Sequence, residues 1–197
     1  MKKKEKVEIV FLLDRSGSMG GLESDTIGGY NSFINSKKDL DAKLTTVLFD
    51  DKIELLHDRV DIKDVKKLTN KDYYVRGCTA LMDAIGTTIT RISKESEDRK
   101  VIFVITTDGL ENASCEYSKS KIKKMIKSKK DWEFLYLGAN IDSYDEASSI
   151  GIRKDRTSNY KSSKQGTRQM FAALECAVGK IANCEKLDDS WNKELEN

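Results

Sequence analysis

Three observations predict an α/β chain: a Rossmann-like, open, mostly parallel sheet with one antiparallel edge strand and helices on both faces. Residues 7–13, 101–105 and 132–137 are short, mostly apolar runs, the pattern of strands buried on both faces. Between such runs, apolar residues recur at helical spacing, as in Met82, Ile85, Ile89 and Ile92. Residues 43–49 and 52–60 flank Asp50-Asp51, a connection so short that the two strands must run antiparallel. Strands alternating with amphipathic helices are the signature of an open α/β sheet.

Taken in order, residues 7–13 form the first strand, apolar except for Glu8 and stopped by Asp14-Arg15-Ser16-Gly17-Ser18. Ile27, Tyr30, Phe33 and Ile34 place a helix over 20–36, and the hairpin follows. Residues 61–74 are polar and irregular. The Met82 helix leads to the 101–105 strand, which ends at Thr106-Thr107-Asp108-Gly109. A helix with Ile122, Met125 and Ile126 inward precedes the 132–137 strand. A short helix over 142–150 ends at Gly151, a C-cap residue. Residues 153–164 are a loop around a short strand. The last helix carries Met170, Phe171, Leu174, Val178 and Ile181 on one stripe.

The 197-residue chain carries 35 Lys and Arg against 33 Asp and Glu. The formal charge of +2 argues against bulk attraction to nucleic acid or anionic lipid. The length predicts one domain over 7–185, with a basic tail at 1–6 and a polar tail at 186–197. The polar tail is expected to fray, with Trp191 as a group able to dock. One histidine, His57, excludes a zinc site of several imidazoles and leaves most acid–base enzymes without their commonest group. His57 falls in the antiparallel strand, away from the Asp-bearing loops. Cys78, Cys115, Cys176 and Cys184 lack C-x-x-C spacing and predict thiols in a reducing cytoplasm, with Cys78 and Cys115 buried and inert. No stretch approaches the ~18 apolar residues of a membrane span. The first apolar run contains Glu8 and ends in charge, so it reads as a strand and not a signal peptide.

Ligand sites in such sheets lie beyond the carboxyl ends of the strands. There, the first loop supplies Asp14, Ser16 and Ser18, alternate residues whose oxygens can converge. A second strand end supplies Asp108, and Gly77-Cys78-Thr79-Ala80 places the Thr79 hydroxyl near a helix N-terminus. Two carboxylates and three hydroxyls form a hard-oxygen set suited to Mg²⁺ or Mn²⁺. Two aspartates balance a divalent charge, and if one acts through water the inner sphere stays positive enough to accept a carboxylate from a partner. The same Asp and Ser residues would also serve simply to cap the following helix.

Asp14-Arg15-Ser16-Gly17-Ser18 resembles the D-x-S-x-S motif of von Willebrand factor type A (vWA) domains. Thr79 and Asp108 are similar to that family's second and third metal-loop residues, 65 and then 29 positions further on. The resemblance extends from about Val7 to Ile181 and is nearest to compact bacterial or phage-type members, without integrin-type insertions. It implies a metal-ion-dependent adhesion site that binds Mg²⁺, with Mn²⁺ or Ca²⁺ as substitutes. The implied ligands are Asp14, Ser16, Ser18, Thr79 and Asp108, with Asp14, and often Asp108, acting through water or a Ser. Gly17, Cys78, Gly109 and Glu111 are candidates to support the ion or touch its ligand. The implied partner is a protein presenting an Asp or Glu carboxylate, with no membrane, no nucleic acid and no enzymatic role.

Two other functions remain open. A Mg²⁺-dependent phosphoesterase would need a base or nucleophile near the ion, for which only Glu111 or Cys78 is available. A nucleic-acid or acidic-partner module would use the helix bearing Lys119, Lys121, Lys123, Lys124, Lys127, Lys129 and Lys130, which otherwise reads as a solvated face. Asp83 is expected to favour the N-terminus of its own helix. No G-x-x-x-x-G-K-[ST] motif occurs, and Met19 breaks a dinucleotide-binding pattern after the first strand.

Overall fold

The computed structural model describes residues 5–95, 98–188 and 190–195, so most of the basic tail at 1–6 lies outside the described residues. Six strands form one sheet: β1 (Val7–Asp14), β2 (Ala42–Phe49), β3 (Ile53–Asp61), β4 (Lys100–Thr107), β5 (Glu133–Gly138) and β6 (Thr157–Asn159). Their order is β3-β2-β1-β4-β5-β6. Only the β2–β3 pair is antiparallel, as the short turn requires. A bulge interrupts that pair near Thr46, and Arg59 there adopts a φ of 50°.

The helices α1 (Glu23–Ser36) and α5 (Lys164–Ala182) cover one face of the sheet. On the other lie α2 (Leu81–Ile92), α3 (Lys119–Ser128) and α4 (Ser143–Ser149). Alternation along β1 divides the core: Ile9, Phe11 and Leu13 join the α1/α5 side, and Val10 and Leu12 the α2/α3 side. Phe11 meets Tyr30, Phe33 and Phe171 at ring centroids 5.6, 5.5 and 6.1 Å apart, which locks α1 and α5 onto the central strand. No described helix is long and apolar enough to cross a membrane.

Four details differ from the expectations. The first helix begins at Glu23, because Gly17–Met19 forms a 3-10 turn that keeps the preceding loop folded over the strand end. Irregular residues 61–74 still bury Ile62, Val65, Leu68 and Tyr73 against the α1/α5 core. The polar C-terminal stretch does not fray over its described part: Leu187, Trp191 and Leu195 are buried in the same core. Trp191 Nε1 donates to the Asp155 carbonyl at 3.2 Å. The cysteines, finally, are exposed and form no disulfide, Cys78 and Cys115 included. Cys78 turns outward as its neighbour Thr79 turns in, and the Cys115 thiol donates to the Ala113 carbonyl at 3.5 Å.

Candidate metal centre

The strand order reverses at β1, which lies between β2 and β4, and the chain leaves β1 and β4 toward opposite faces. This opens a crevice at the carboxyl ends of the two central strands. Asp14 closes β1 and Asp108 immediately follows β4, so the two carboxylates arrive there from adjacent strands.

Asp14 is fully buried and held at both oxygens. Its Oδ1 accepts the Ser16 backbone N–H at 2.7 Å and its Oδ2 the Thr107 hydroxyl at 2.6 Å. The Tyr73 hydroxyl donates to the Asp14 carbonyl at 2.6 Å. Ser16 Oγ lies 3.1 Å from Ser18 Oγ, which donates to Asp108 Oδ1 at 2.5 Å. The second loop joins through its backbone: Gly17 N–H donates to the Gly77 carbonyl at 3.2 Å, and Arg76 N–H to the Arg15 carbonyl at 2.9 Å. Gly77 has a φ of +66°, and a Cβ there would lie 1.9 Å from Asp51 Oδ1, so only glycine fits. Asn112 completes the frame, its Oδ1 accepting Thr79 N–H at 2.9 Å while its own N–H donates to the Thr79 carbonyl at 3.1 Å.

Gly109 shows how closely the three loops approach. A Cβ on it would sit 3.2 Å from Ser18 Oγ and 3.4 Å from Thr79 Oγ1. The structure therefore gathers Asp14, Ser16, Ser18, Thr79 and Asp108 into one nest of oxygens, open to solvent at Gly17 and Ser18. Asp108 Oδ2 is buried and accepts no hydrogen bond.

The charge arrangement separates these two aspartates from other buried acids. Among the described residues, Glu8, Asp14, Asp25, Asp50 and Asp108 are buried. Arg59 pairs with Glu8 at 3.1 Å, Arg168 with Asp25 at 2.7 Å, and Arg15 and Arg76 with Asp50 at 2.8 and 2.7 Å. Asp14 and Asp108 have hydroxyl and backbone donors but no ion-pair partner among the described residues. Burial pushes the Asp14 carboxyl up to about 6, against the opposing bonds from Ser16 and Thr107, with Asp108 adding repulsion. Burial also raises Asp108, while the Ser18 hydroxyl and then a backbone N–H hold it down. At Asp50 burial acts the same way, but the bonds from Arg76, the Lys52 N–H and Arg15 outweigh it and leave the carboxyl below its usual range.

No three His, Cys, Asp or Glu side chains gather into a metal cluster among the described residues. What gathers is a pair of carboxylates with three hydroxyls, the donor set of a hard divalent cation. A desolvated pair of like charges, an orphaned carboxylate oxygen and converging hydroxyls all fit such an ion.

The remaining candidates have other partners. Glu111 accepts from Met82 N–H, Ala113 N–H, Ser114 N–H and the Ser114 hydroxyl, so it organises the third loop and the start of α2. Asp83 stands in the first turn of α2, where its charge favours the helix N-terminus, and it also accepts the backbone N–H groups of Cys115, Glu116 and Tyr117, fixing the approach to α3. His57 Nδ1 lies 3.4 Å from the Tyr30 hydroxyl, and burial lowers its pKa. On α3, Lys119 pairs with Glu146, while Lys121 lies over Tyr117; beyond the helix end, Lys129 lies over Trp132. Thr107, Tyr73 and Asn112 escaped the sequence reading. Thr107 stands beside the Asp108 motif residue, and nothing local marks the other two.

A family model described as "VWA domain containing CoxE-like protein" matches residues 1–146. No curated protein sequence matches the chain. Among solved structures, the chain is similar to manganese-loaded TRAP protein of Plasmodium vivax, with a TM-score of 0.62 and 21% identity over 80% of this chain and 69% of that one. It is also similar to a von Willebrand factor type A protein of Catenulispora acidiphila, with a TM-score of 0.64 and 16% identity. That match covers 88% of this chain but only 42% of the other. The SpRpn10 VWA domain matches with a TM-score of 0.62 and 13% identity, over 85% of this chain and 94% of that domain. At these identities the likeness concerns the fold.

Proposed function

The chain belongs to the von Willebrand factor A domain family, and from that premise we propose that it is a Mg²⁺-dependent protein-binding module that captures a partner carboxylate. Domains of this family typically serve adhesion or protein interaction. The observation that carries the reading is the contrast among buried acids: of those among the described residues, Asp14 and Asp108 alone lack an arginine, and they sit amid the hydroxyls of Ser16, Ser18 and Thr79. A divalent cation would supply the missing charge there. The manganese-loaded Plasmodium vivax relative supports a divalent ion in this fold, with Mg²⁺, Mn²⁺ and Ca²⁺ as the candidates.

In that site Asp14, Ser16, Ser18, Thr79 and Asp108 hold the ion. Thr107 and Tyr73 fix Asp14, while Asn112 fixes Thr79. The hydroxyl ligands are neutral, so the ion keeps appetite for one more anionic oxygen, the partner's carboxylate. The role is binding and not catalysis: Glu111, the base candidate of the third loop, spends its oxygens on Met82 N–H, its own loop's N–H groups and the Ser114 hydroxyl. Exposed thiols suit a reducing, cytoplasmic setting.

A pull-down from the native source, run in Mg²⁺ and in EDTA, tests the reading. A partner retained in Mg²⁺ and lost both in EDTA and with Asp14→Ala is the expected result. Retention that ignores EDTA, or that survives Asp14→Ala, would overturn it.

A further inference from the structure

Among the described residues the large apolar side chains left exposed are Ile53, Leu55, Tyr74 and Leu110. Their placement is not scattered. Leu110 follows Gly109 in the third loop and is 59% exposed. Tyr74 lies on the other side of the first loop, with the guanidinium carbons of Arg15 and Arg76 5.6 and 5.5 Å from its ring centroid. Ile53 opens β3 in register with Phe49, itself in register with Asp14, so it stands two strands, roughly 10 Å, from that aspartate. Leu55 continues the line down the sheet edge on the same face. Leu110, Tyr74 and Ile53 are therefore set around the loops that carry the proposed metal site, from the β4 side to the β3 edge.

The charges around this line restrict its occupant. The proposed ion attracts an anion, but the neighbouring loops carry four acids, Asp50, Asp51, Glu54 and Glu111, against two arginines, Arg15 and Arg76. A polyanion such as nucleic acid or a run of acidic residues is repelled by that excess of negative charge. A lone carboxylate between apolar neighbours meets the cation and covers the exposed side chains.

We propose that the surface from Leu110 across the metal site to Tyr74 and Ile53 docks a protein segment in which one carboxylate is flanked on both sides by apolar side chains. This rests on the carboxylate-capture reading above and specifies its ligand. Tyr74 is preorganised for the task because its ring is held by the two guanidiniums and its hydroxyl accepts from Arg76 Nη1 at 3.4 Å. Aromatic groups fixed in this way contribute contact area at small entropic cost.

The test uses three acetylated, amidated pentapeptides with glycine ends and the centres leucine–glutamate–leucine, serine–glutamate–serine and three glutamates. Binding to the full chain in Mg²⁺ is followed by amide chemical shifts. The leucine-flanked peptide should bind about tenfold more tightly than the serine-flanked one, the gain expected when two leucines lose part of their exposed area. The triple glutamate should gain nothing over the serine-flanked peptide. Leu110→Ser and Tyr74→Ser should each remove about threefold of the advantage, with Mg²⁺ affinity unchanged. Equal binding of all three peptides, tightest binding of the triple glutamate, or an advantage untouched by both variants would overturn the proposal while leaving carboxylate capture standing. If the protein binds Mg²⁺ but none of the peptides, carboxylate capture falls and this proposal falls with it.

Discussion

The two ends of the central strand β1 both bury a carboxylate, and they treat it in opposite ways. Glu8, near the start, is enclosed with Arg59 Nε at 3.1 Å and the Thr45 hydroxyl at 3.4 Å. Burial raises its pKa, and the Arg59 guanidinium opposes that shift. Asp14, at the finish, is enclosed with a hydroxyl and a backbone N–H, and the like charge of Asp108 adds repulsion. The fold supplies a cation to the first acid from its own edge strand and withholds one from the second. An internal cation makes a buried acid structural, whereas its absence beside inward-facing hydroxyls leaves the acid uncompensated, the feature on which the proposed function rests.

The largest effect that can break this comparison is at Arg59. Arg59→Ala leaves Glu8 buried without its partner and should cost about 3 kcal/mol, read as a shift in denaturant midpoint that Mg²⁺ does not alter. Asp14→Asn should act in the opposite direction. The Asp14 carboxyl is held at about 6, above its usual 3.8, so the folded protein in EDTA binds a proton between these values that the unfolded chain does not. That stability is complete below about pH 3.8 and is lost as pH rises through about 6. Wild type in EDTA should therefore be more stable at pH 5 than at pH 7.5 by about 1.4 kcal/mol, the rest of the roughly 3 kcal/mol having been lost below pH 5, and Asp14→Asn should flatten this dependence.

Mg²⁺ sharpens the same contrast. At a hundredfold excess over Kd it should stabilise wild type by about 2.7 kcal/mol, read by calorimetry. The gain should survive Arg59→Ala and vanish in Asp14→Asn. The smallest effect belongs to Asp25, the buried acid whose partner Arg168 is mostly exposed. Arg168→Ala should cost under about 1 kcal/mol in a melting experiment, because solvent replaces much of what the arginine contributes.

The strands and helices were legible because each writes a local period: the apolar run of β4, the Met82-to-Ile92 stripe of α2, the turn between β2 and β3. Segments whose burial is decided by distant parts of the chain were less so. Leu187, Trp191 and Leu195 are three apolar residues in a polar stretch, and only the shape of the finished core makes them part of it. The same division holds at the site. The five oxygen-bearing residues could be named from motif and order. Their supports could not, because Thr107, Tyr73 and Asn112 act through contacts that exist only after β1, β4 and the second loop have come together. Arg15 is the sharpest case. It occupies a variable position inside the motif, yet it is fully buried and neutralises Asp50 one strand away, which keeps that acid out of the neighbouring site.

In the proposed function, Asp14 and Asp108 lack an arginine because they await a divalent cation. Titration of the chain with Mn²⁺, followed by electron paramagnetic resonance, tests it most directly. One saturable site per chain, displaced by Mg²⁺, lost in Asp108→Asn and retained in Arg168→Ala, is the result predicted. Absence of a saturable site in wild type, or a site that survives Asp108→Asn, would contradict it.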